Sequence, residues 1–216
     1  MYKGVIKRSV DLILSSIGII VLAVPMLIIA MIIKITDPGP VLFKQKRIGI
    51  HKTHFNLYKF RSMKMSTPKD CPTHLLENPE QYITSIGKFL RKSSLDELPQ
   101  LFNIWSGKMS IVGPRPALWN QDDLIAEREK YGANDIRPGL TGWAQINGRD
   151  ELEIDVKAKL DGDYTATLNA GKFKGLAMDI KCFFGTFLSV LKSDGVVEGG
   201  TGEVKRQKEE KETVTQ

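Results

Sequence analysis

The sequence predicts an α+β fold, mostly helical with a small β-hairpin, carried on an N-terminal membrane helix and fringed by interfacial amphipathic helices. Three observations lead there. An apolar run near the N-terminus is long enough to reach across a bilayer, two short β-type runs flank a glycine soon after it, and most later apolar residues recur at helical spacing. The chain has 216 residues, 42% of them hydrophobic, which is room for one ordinary domain plus an attachment segment. The expected divisions are 1–36, a membrane helix; 37–197, a folded domain; and 198–216, a disordered tail rich in Gly, Glu, Lys, Gln and Thr. Cys71 and Cys182 lie far apart and make no disulfide framework, which suits a reducing compartment.

The membrane element comes first. Residues 12–35, LILSSIGIIVLAVPMLIIAMIIKI, carry one charge, Lys34. As a helix this run is roughly 36 Å long, enough to cross a bilayer and too long for the core of a signal peptide. Pro25 lies within it, so a kink or break is expected. Lys3, Lys7 and Arg8 precede the run, and Lys34, Lys44, Lys46 and Arg47 follow it. Positive residues favour the cytoplasmic side, and here both flanks carry them. A re-entrant helix broken near Pro25 satisfies both flanks; an ordinary span with a tolerated kink is the alternative.

After the Pro-Gly-Pro turn, residues 41–47 and 54–60 read as a β-hairpin joined around Gly49. Residues 64–80 carry Pro68, Pro72 and Pro79 and read as a loop. EQYITSIGKFLRK places Ile83, Ile86, Phe89 and Leu90 at helical spacing. A helix follows Asp96, then the strand-like SIVGPRP, then helices over 117–131 and 151–169, the latter with a Leu152, Val156, Leu160 stripe. The last helix carries Phe183, Phe184, Phe187, Leu188 and Leu191 beside Lys181 and Lys192. Such a helix is either core or interfacial, and Leu101, Phe102, Ile104 and Trp105 raise the same choice.

The chemistry centres on SSLDELPQ. Ser94 and Glu97 have capping-box spacing, and Pro99 suits a first helical turn. The simple reading is that Asp96 and Glu97 are helix-start carboxylates. The same placement favours an ionised aspartate beside a bound anion, and an ionised aspartate is a competent nucleophile toward phosphorus. That attack needs cations to offset repulsion between anions, and Mg²⁺, arginine and lysine are the usual agents. Lys59, Arg61, Arg91, Arg115, Arg137 and Arg149 are the candidates. Arg115 sits between prolines in VGPRP, while Arg137 opens and Arg149 closes RPGLTGWAQINGR. Stiff turns suit bidentate phosphate clamps. Trp143, Gln145 and Asn147 in that stretch could stack on and hydrogen-bond a base; a surface loop with a structural Trp is the plainer alternative.

YKFRSM, LRKSSLDELPQLFNIWSGKMSIVGPRP, RPGLTGWAQINGR and DIKCFFGTFLSVLKSDGV follow one another after the hydrophobic segment. In that order they resemble the bacterial sugar transferases, the small monotopic phosphoglycosyl transferases, over roughly residues 1–197. The resemblance implies a re-entrant membrane helix, a catalytic domain on the cytosolic face of the bacterial inner membrane, and Mg²⁺ as cofactor. It implies transfer of a sugar-1-phosphate from a nucleotide diphospho-sugar, commonly a UDP-sugar, to polyprenyl phosphate. Asp96 would be the nucleophile and a metal ligand, Glu97 its catalytic partner, and Arg91 and Arg115 substrate-binding. KLDGDY resembles the family's Asp-containing helix, which brings in Asp161. Arg8 and Pro25 would belong to the membrane element. One departure is Val24, where the family often has Ser before the proline; a serine hydroxyl can bond a freed carbonyl and Val24 cannot.

Other readings make different demands. The net charge of +6 would suit a membrane-anchored nucleic-acid binder, but the basic residues lie among Gly-Pro turns and no nucleic-acid motif is present, so no nucleic-acid partner is expected. A nucleotide-sugar hydrolase would send the same intermediate to water. His51 with His54, and Cys71 with His74, have metal-like spacing but lack a helix frame or an acid partner, and loop residues are the simpler account. The sequence names no sugar, and a homo-oligomer is compatible with it.

Overall fold

The computed structural model describes residues 2–67, 79–148 and 152–192. It opens with a π-helical turn, Tyr2–Ile6, that runs into helix α1, Lys7–Thr36. Helical backbone continues through Pro25, so the expected break is not an interruption of the helix. Leaving the helix there would free more backbone groups than the one carbonyl that proline orphans, and a lipid-facing segment has no water to satisfy them. Both sides of Pro25 also pack on the folded domain. Lys7, Asp11 and Ser15 are buried before it, and Met26, Ile29 and Ile33 after it. Gly18 sits against Leu101 and Leu22 packs with the cluster around Leu90, so the contact forms one helical stripe. The remaining faces expose aliphatic side chains such as Ile20, Val24 and Ile35.

Strands β1, Leu42–Ile48, and β2, His54–Phe60, form the expected antiparallel hairpin, with Leu42 opposite Phe60 and Ile48 opposite His54. Phe55, Leu57 and Phe60 point inward. Helix α2, Ser85–Lys92, is capped by Thr84, whose hydroxyl accepts from the Gly87 amide at 2.9 Å. A 3-10 turn, Leu95–Glu97, leads into helix α3, Gln100–Trp105. Strand β3, Ser110–Val112, pairs in parallel with β4, Gly139–Thr141, a strand that lies within a stretch read from sequence as loop. Gly113 and Gly139 approach so closely that a Cβ on either would overlap backbone of the other segment. This crossing fixes the start of GPRP against RPGLTG.

Helices α4, Asp122–Glu129, α5, Trp143–Ile146, α6, Ile154–Asn169, and α7, Lys172–Lys192, complete the domain. The α6 stripe differs from expectation. Val156 is exposed, and Ala158, Asp161, Tyr164, Thr165 and Leu168 are buried instead. On α7 the buried face is Gly175, Asp179 and Cys182, whereas Phe173, Phe184 and Leu188 are exposed. That leaves an unpartnered apolar face, the pattern of an interfacial helix. Phe102 and Trp105 of α3 are likewise exposed, but Ile104 is fully buried. Arg149 and the tail beyond residue 197 lie outside the described residues.

Candidate active site

Asp96 and Glu97 sit on the 3-10 turn rather than on an α-helix. The capping box does not form: Ser94 adopts a left-handed backbone, φ 56°, and its side chain caps nothing. The turn directs both carboxylates into the domain. Asp96 is 7% exposed. Glu97 accepts from Lys59 Nζ at 2.8 Å and from Arg115 Nη2 at 3.3 Å. Lys59 comes from β2 and Arg115 from the segment after β3, so the hairpin and the parallel pair converge on the dyad. Arg91, in the last turn of α2, donates from Nε to the Ser62 hydroxyl at 2.8 Å, which orients its guanidinium.

The electrostatics differ from the sequence expectation. Burial pushes the Asp96 carboxyl above the usual carboxylate range; Lys59 opposes this most strongly, Glu97 adds to it, and Arg91 and Arg115 oppose it. No helix terminus holds the proton off. The ionised form depends on Lys59, Arg91, Arg115 and any further cation that arrives.

A cavity of about 240 Å³ adjoins the dyad, lined by Glu97, Arg115 and Gln145 on one side and by Gly18, Leu22 and Leu101 on another. Gln145 Nε2 donates to the Leu140 carbonyl, and its Oε1 is buried without a hydrogen-bond partner among the described residues. Thus Asp96, Glu97, Lys59, Arg91, Arg115 and Gln145 belong to one neighbourhood. Three expected site residues do not. Arg61 is buried and bound to Asp37, through the backbone carbonyl and the carboxylate, so it pins the exit of α1. Arg137 donates to the Gly107 carbonyl and lines a separate 40 Å³ pocket with Arg8 and Asp135. Asp161 is 1% exposed and takes both Nε and Nη2 of Arg128 on one oxygen, a structural ion pair in the helical half. Residue type announced their charge, but distant partners had claimed it.

Sequence reasoning also missed a buried network at the start of α1. Asp179 accepts from Tyr2 at 2.5 Å, Lys7 at 2.6 Å and Tyr164 at 2.6 Å. Asp11 accepts from the Ser110 hydroxyl and the Ile111 amide. Arg8 donates to the Ile104 and Trp105 carbonyls at the C-terminus of α3. It is therefore a helix cap rather than a headgroup-facing charge. The visible signal was an acid, Asp11, at the mouth of a membrane segment. Of the metal-like pairs, His51 bonds Asp135, and Cys71 and His74 lie outside the described residues. Among the described residues no three His, Cys, Asp or Glu gather into a metal cage.

The profile of the bacterial sugar transferase family matches residues 2–193. The UDP-glucose:undecaprenyl-phosphate glucose-1-phosphate transferase of Escherichia coli K12 is 37% identical over 172 residues, 74% of this chain and 36% of that protein. An uncharacterized sugar transferase of Bacillus subtilis, EpsL, is 36% identical over 89% of this chain and 90% of its own length. The undecaprenyl-phosphate galactose phosphotransferase of Salmonella typhimurium is 34% identical over 88% of this chain. The chain therefore spans well under half of the Escherichia coli and Salmonella relatives, at 36% and 41% of their lengths, and nearly all of the Bacillus one. With the dyad, its cations and the membrane helix all inside the matched residues, this chain belongs to the bacterial sugar transferase family.

Proposed function

We propose that the protein transfers a sugar-1-phosphate from a UDP-sugar to polyprenyl phosphate through a covalent intermediate on Asp96. The observation that carries this reading is the division of labour in the dyad. Glu97 is held by Lys59 and Arg115, while Asp96, one residue away, is buried and makes no hydrogen-bonded ion pair among the described residues. Lys59, Arg91 and Arg115 nonetheless act on the Asp96 carboxyl against its burial, which suits a carboxylate that meets a phosphate.

In the first step an Asp96 oxygen attacks the phosphorus that bears the sugar. The bond to the bridging oxygen breaks, UMP leaves with that electron pair, and the sugar-phosphate is held as an acyl phosphate. In the second step an oxygen of the lipid phosphate attacks the same phosphorus. The bond to Asp96 breaks, and the free carboxylate returns as polyprenyl-diphospho-sugar departs. Lys59, Arg91 and Arg115 offset the charge on the diphosphate during both displacements. Asp96, with Glu97 beside it, would hold Mg²⁺ through one or two carboxylates while substrate phosphates supplied further ligands, as magnesium sites commonly arrange. When bound it would supply Lewis-acid stabilisation of phosphate charge.

A re-entrant course for α1 is part of this proposal. Its start is tied to the domain through Lys7, Arg8 and Asp11, and its exit through Arg61 and Asp37. A helix held at both ends by one domain supports cytosolic placement of both ends at the inner membrane.

The test is a panel of UDP-sugars with polyprenyl phosphate and Mg²⁺, scoring UMP and lipid-linked product. Turnover of at least one UDP-sugar to a lipid-linked diphosphate is expected. Release of free sugar-1-phosphate with no lipid product would make water the acceptor and overturn the assignment.

A further inference from the structure

We propose that the cavity beside Glu97 receives the first isoprenoid units of the acceptor, with Leu22 of the membrane helix, Leu101 and Ile146 gripping the chain. This rests on the transferase reading and assigns its second substrate a place. The cavity, about 240 Å³, is larger than the ~150 Å³ apolar void that stays dry and takes up benzene. A branched five-carbon unit therefore fits with room for the start of the next.

The chemistry of the walls selects the ligand. A sugar carries a hydroxyl on nearly every carbon and needs a matching set of polar partners. Leu22, Leu98, Leu101, Leu140 and Ile146 offer none. Of the three hydroxyls in the lining, Thr141 is engaged with Thr186 and Thr186 with the Cys182 carbonyl at 2.8 Å, while Ser94 lies at the charged end, at the entry to the dyad's own turn. The Gln145 amide donates to Leu140, which leaves its Oε1 as a buried acceptor without a partner among the described residues. The opposite end is charged, with Glu97 and Arg115 beside the nucleophile's turn. A ligand matching both ends has an aliphatic chain with a phosphate at its tip.

The membrane helix makes the third argument. Gly18 and Leu22 form part of the wall, and the neighbouring face of α1 exposes Val21, with Ile20 on the far side of the helix. Gly18 has no side chain to close the space; a Cβ there would sit 3.2 Å from Leu101. The cavity thus borders the one helix among the described residues that is long and apolar enough to cross a bilayer, and a polyprenyl chain can pass from there to the dyad along apolar surface.

Two measurements test this. Leu22→Trp and Ile146→Trp fill the cavity from different elements. Each should raise KM for polyprenyl phosphate by about tenfold or more, while KM for the UDP-sugar, read from the UMP burst without lipid, moves by less than about twofold. Ile20→Trp, on the exposed face of α1, should alter neither. A rise in KM for the UDP-sugar with none for the lipid would give the cavity to the donor and overturn the proposal. Should the filled variants not fold, wild-type protein is irradiated with a short polyprenyl phosphate bearing a diazirine in its second unit. Adducts are expected on peptides containing Leu22, Leu101 or Ile146, and adducts only elsewhere would overturn it. Absence of any UMP burst from wild type that still turns over would instead sink the covalent step of the transferase reading, and the photoadducts would still report on the cavity.

Discussion

Burial raises the Asp96 carboxyl, and the neighbouring Glu97 charge pushes the same way, while Lys59, Arg91 and Arg115 oppose them. Below the pKa of an unfolded aspartate both states are protonated and the side chain costs nothing. As pH rises toward and through the raised folded value, the unfolded chain gives up its proton first, and the native state loses stability. Asp96→Asn removes that loss. In metal-free buffer at neutral pH the variant should melt higher than wild type, by about 2–4 °C for each kcal/mol relieved, and the gap should close as pH falls through the ordinary carboxylate range. A variant that melts lower at neutral pH would contradict the burial argument. Arg115 gives a second prediction. Arg115→Lys keeps the charge but loses the planar fork, and kcat/KM for the UDP-sugar should fall by about tenfold or more. Wild-type kinetics would return Arg115 to a structural role. The convergence of Lys59, Arg91 and Arg115 on the Asp96–Glu97 turn was legible because the motifs that carry them were read together. Arg61, Arg137 and Asp161 were not, because a charged letter does not say which buried group will pair with it.

Elements of full length were read well and short ones poorly. The hairpin and α2 carry their own period, and Thr84 marks the start of α2 with a real cap. Strand β4 and helix α5 have three and four residues, too few to show a period, and they exist because their partners hold them. The α6 stripe misled because its buried face is mostly Ala158, Asp161, Tyr164 and Thr165, whose polar groups find partners in Arg128, Asp179, the Val112 carbonyl and the helix's own backbone, rather than Leu152, Val156 and Leu160. Helix α1 was recognisable by its greasy run, yet its attachment is polar. Lys7 and Asp179 are each nearly buried, and Asp179 collects two tyrosine hydroxyls as well. Lys7→Met should leave that carboxylate without its cation and cost about 3–5 kcal/mol, measured by denaturation in detergent. A loss under about 1 kcal/mol would mean that the network is incidental to how α1 docks.

At the scale of the molecule, α1, α3 and α7 each expose large apolar side chains, among them Val24, Trp105 and Phe184. Sequence alone could place positive charge on both flanks of α1, but not the tertiary ties at its two ends. The proposed re-entrant course rests on those ties. Gly4 is exposed, with open space around it, so a Gly4→Cys probe should be benign on a background lacking Cys71 and Cys182. In intact cells it should resist a membrane-impermeant thiol reagent, as should a Lys108→Cys control in the domain, and both should react after permeabilisation. Ready labelling of Gly4→Cys alone would mean a full span.

The central claim is that Asp96 itself carries the sugar-phosphate. Wild-type protein mixed with a turned-over UDP-sugar and Mg²⁺, without lipid, is quenched and analysed by mass spectrometry. A sugar-phosphate adduct should appear on Asp96, be removed by hydroxylamine as acyl phosphates are, vanish on addition of polyprenyl phosphate, and be absent from Asp96→Asn. No adduct under conditions that support turnover, together with kinetics that require both substrates bound at once, would contradict the account and leave direct transfer between substrates.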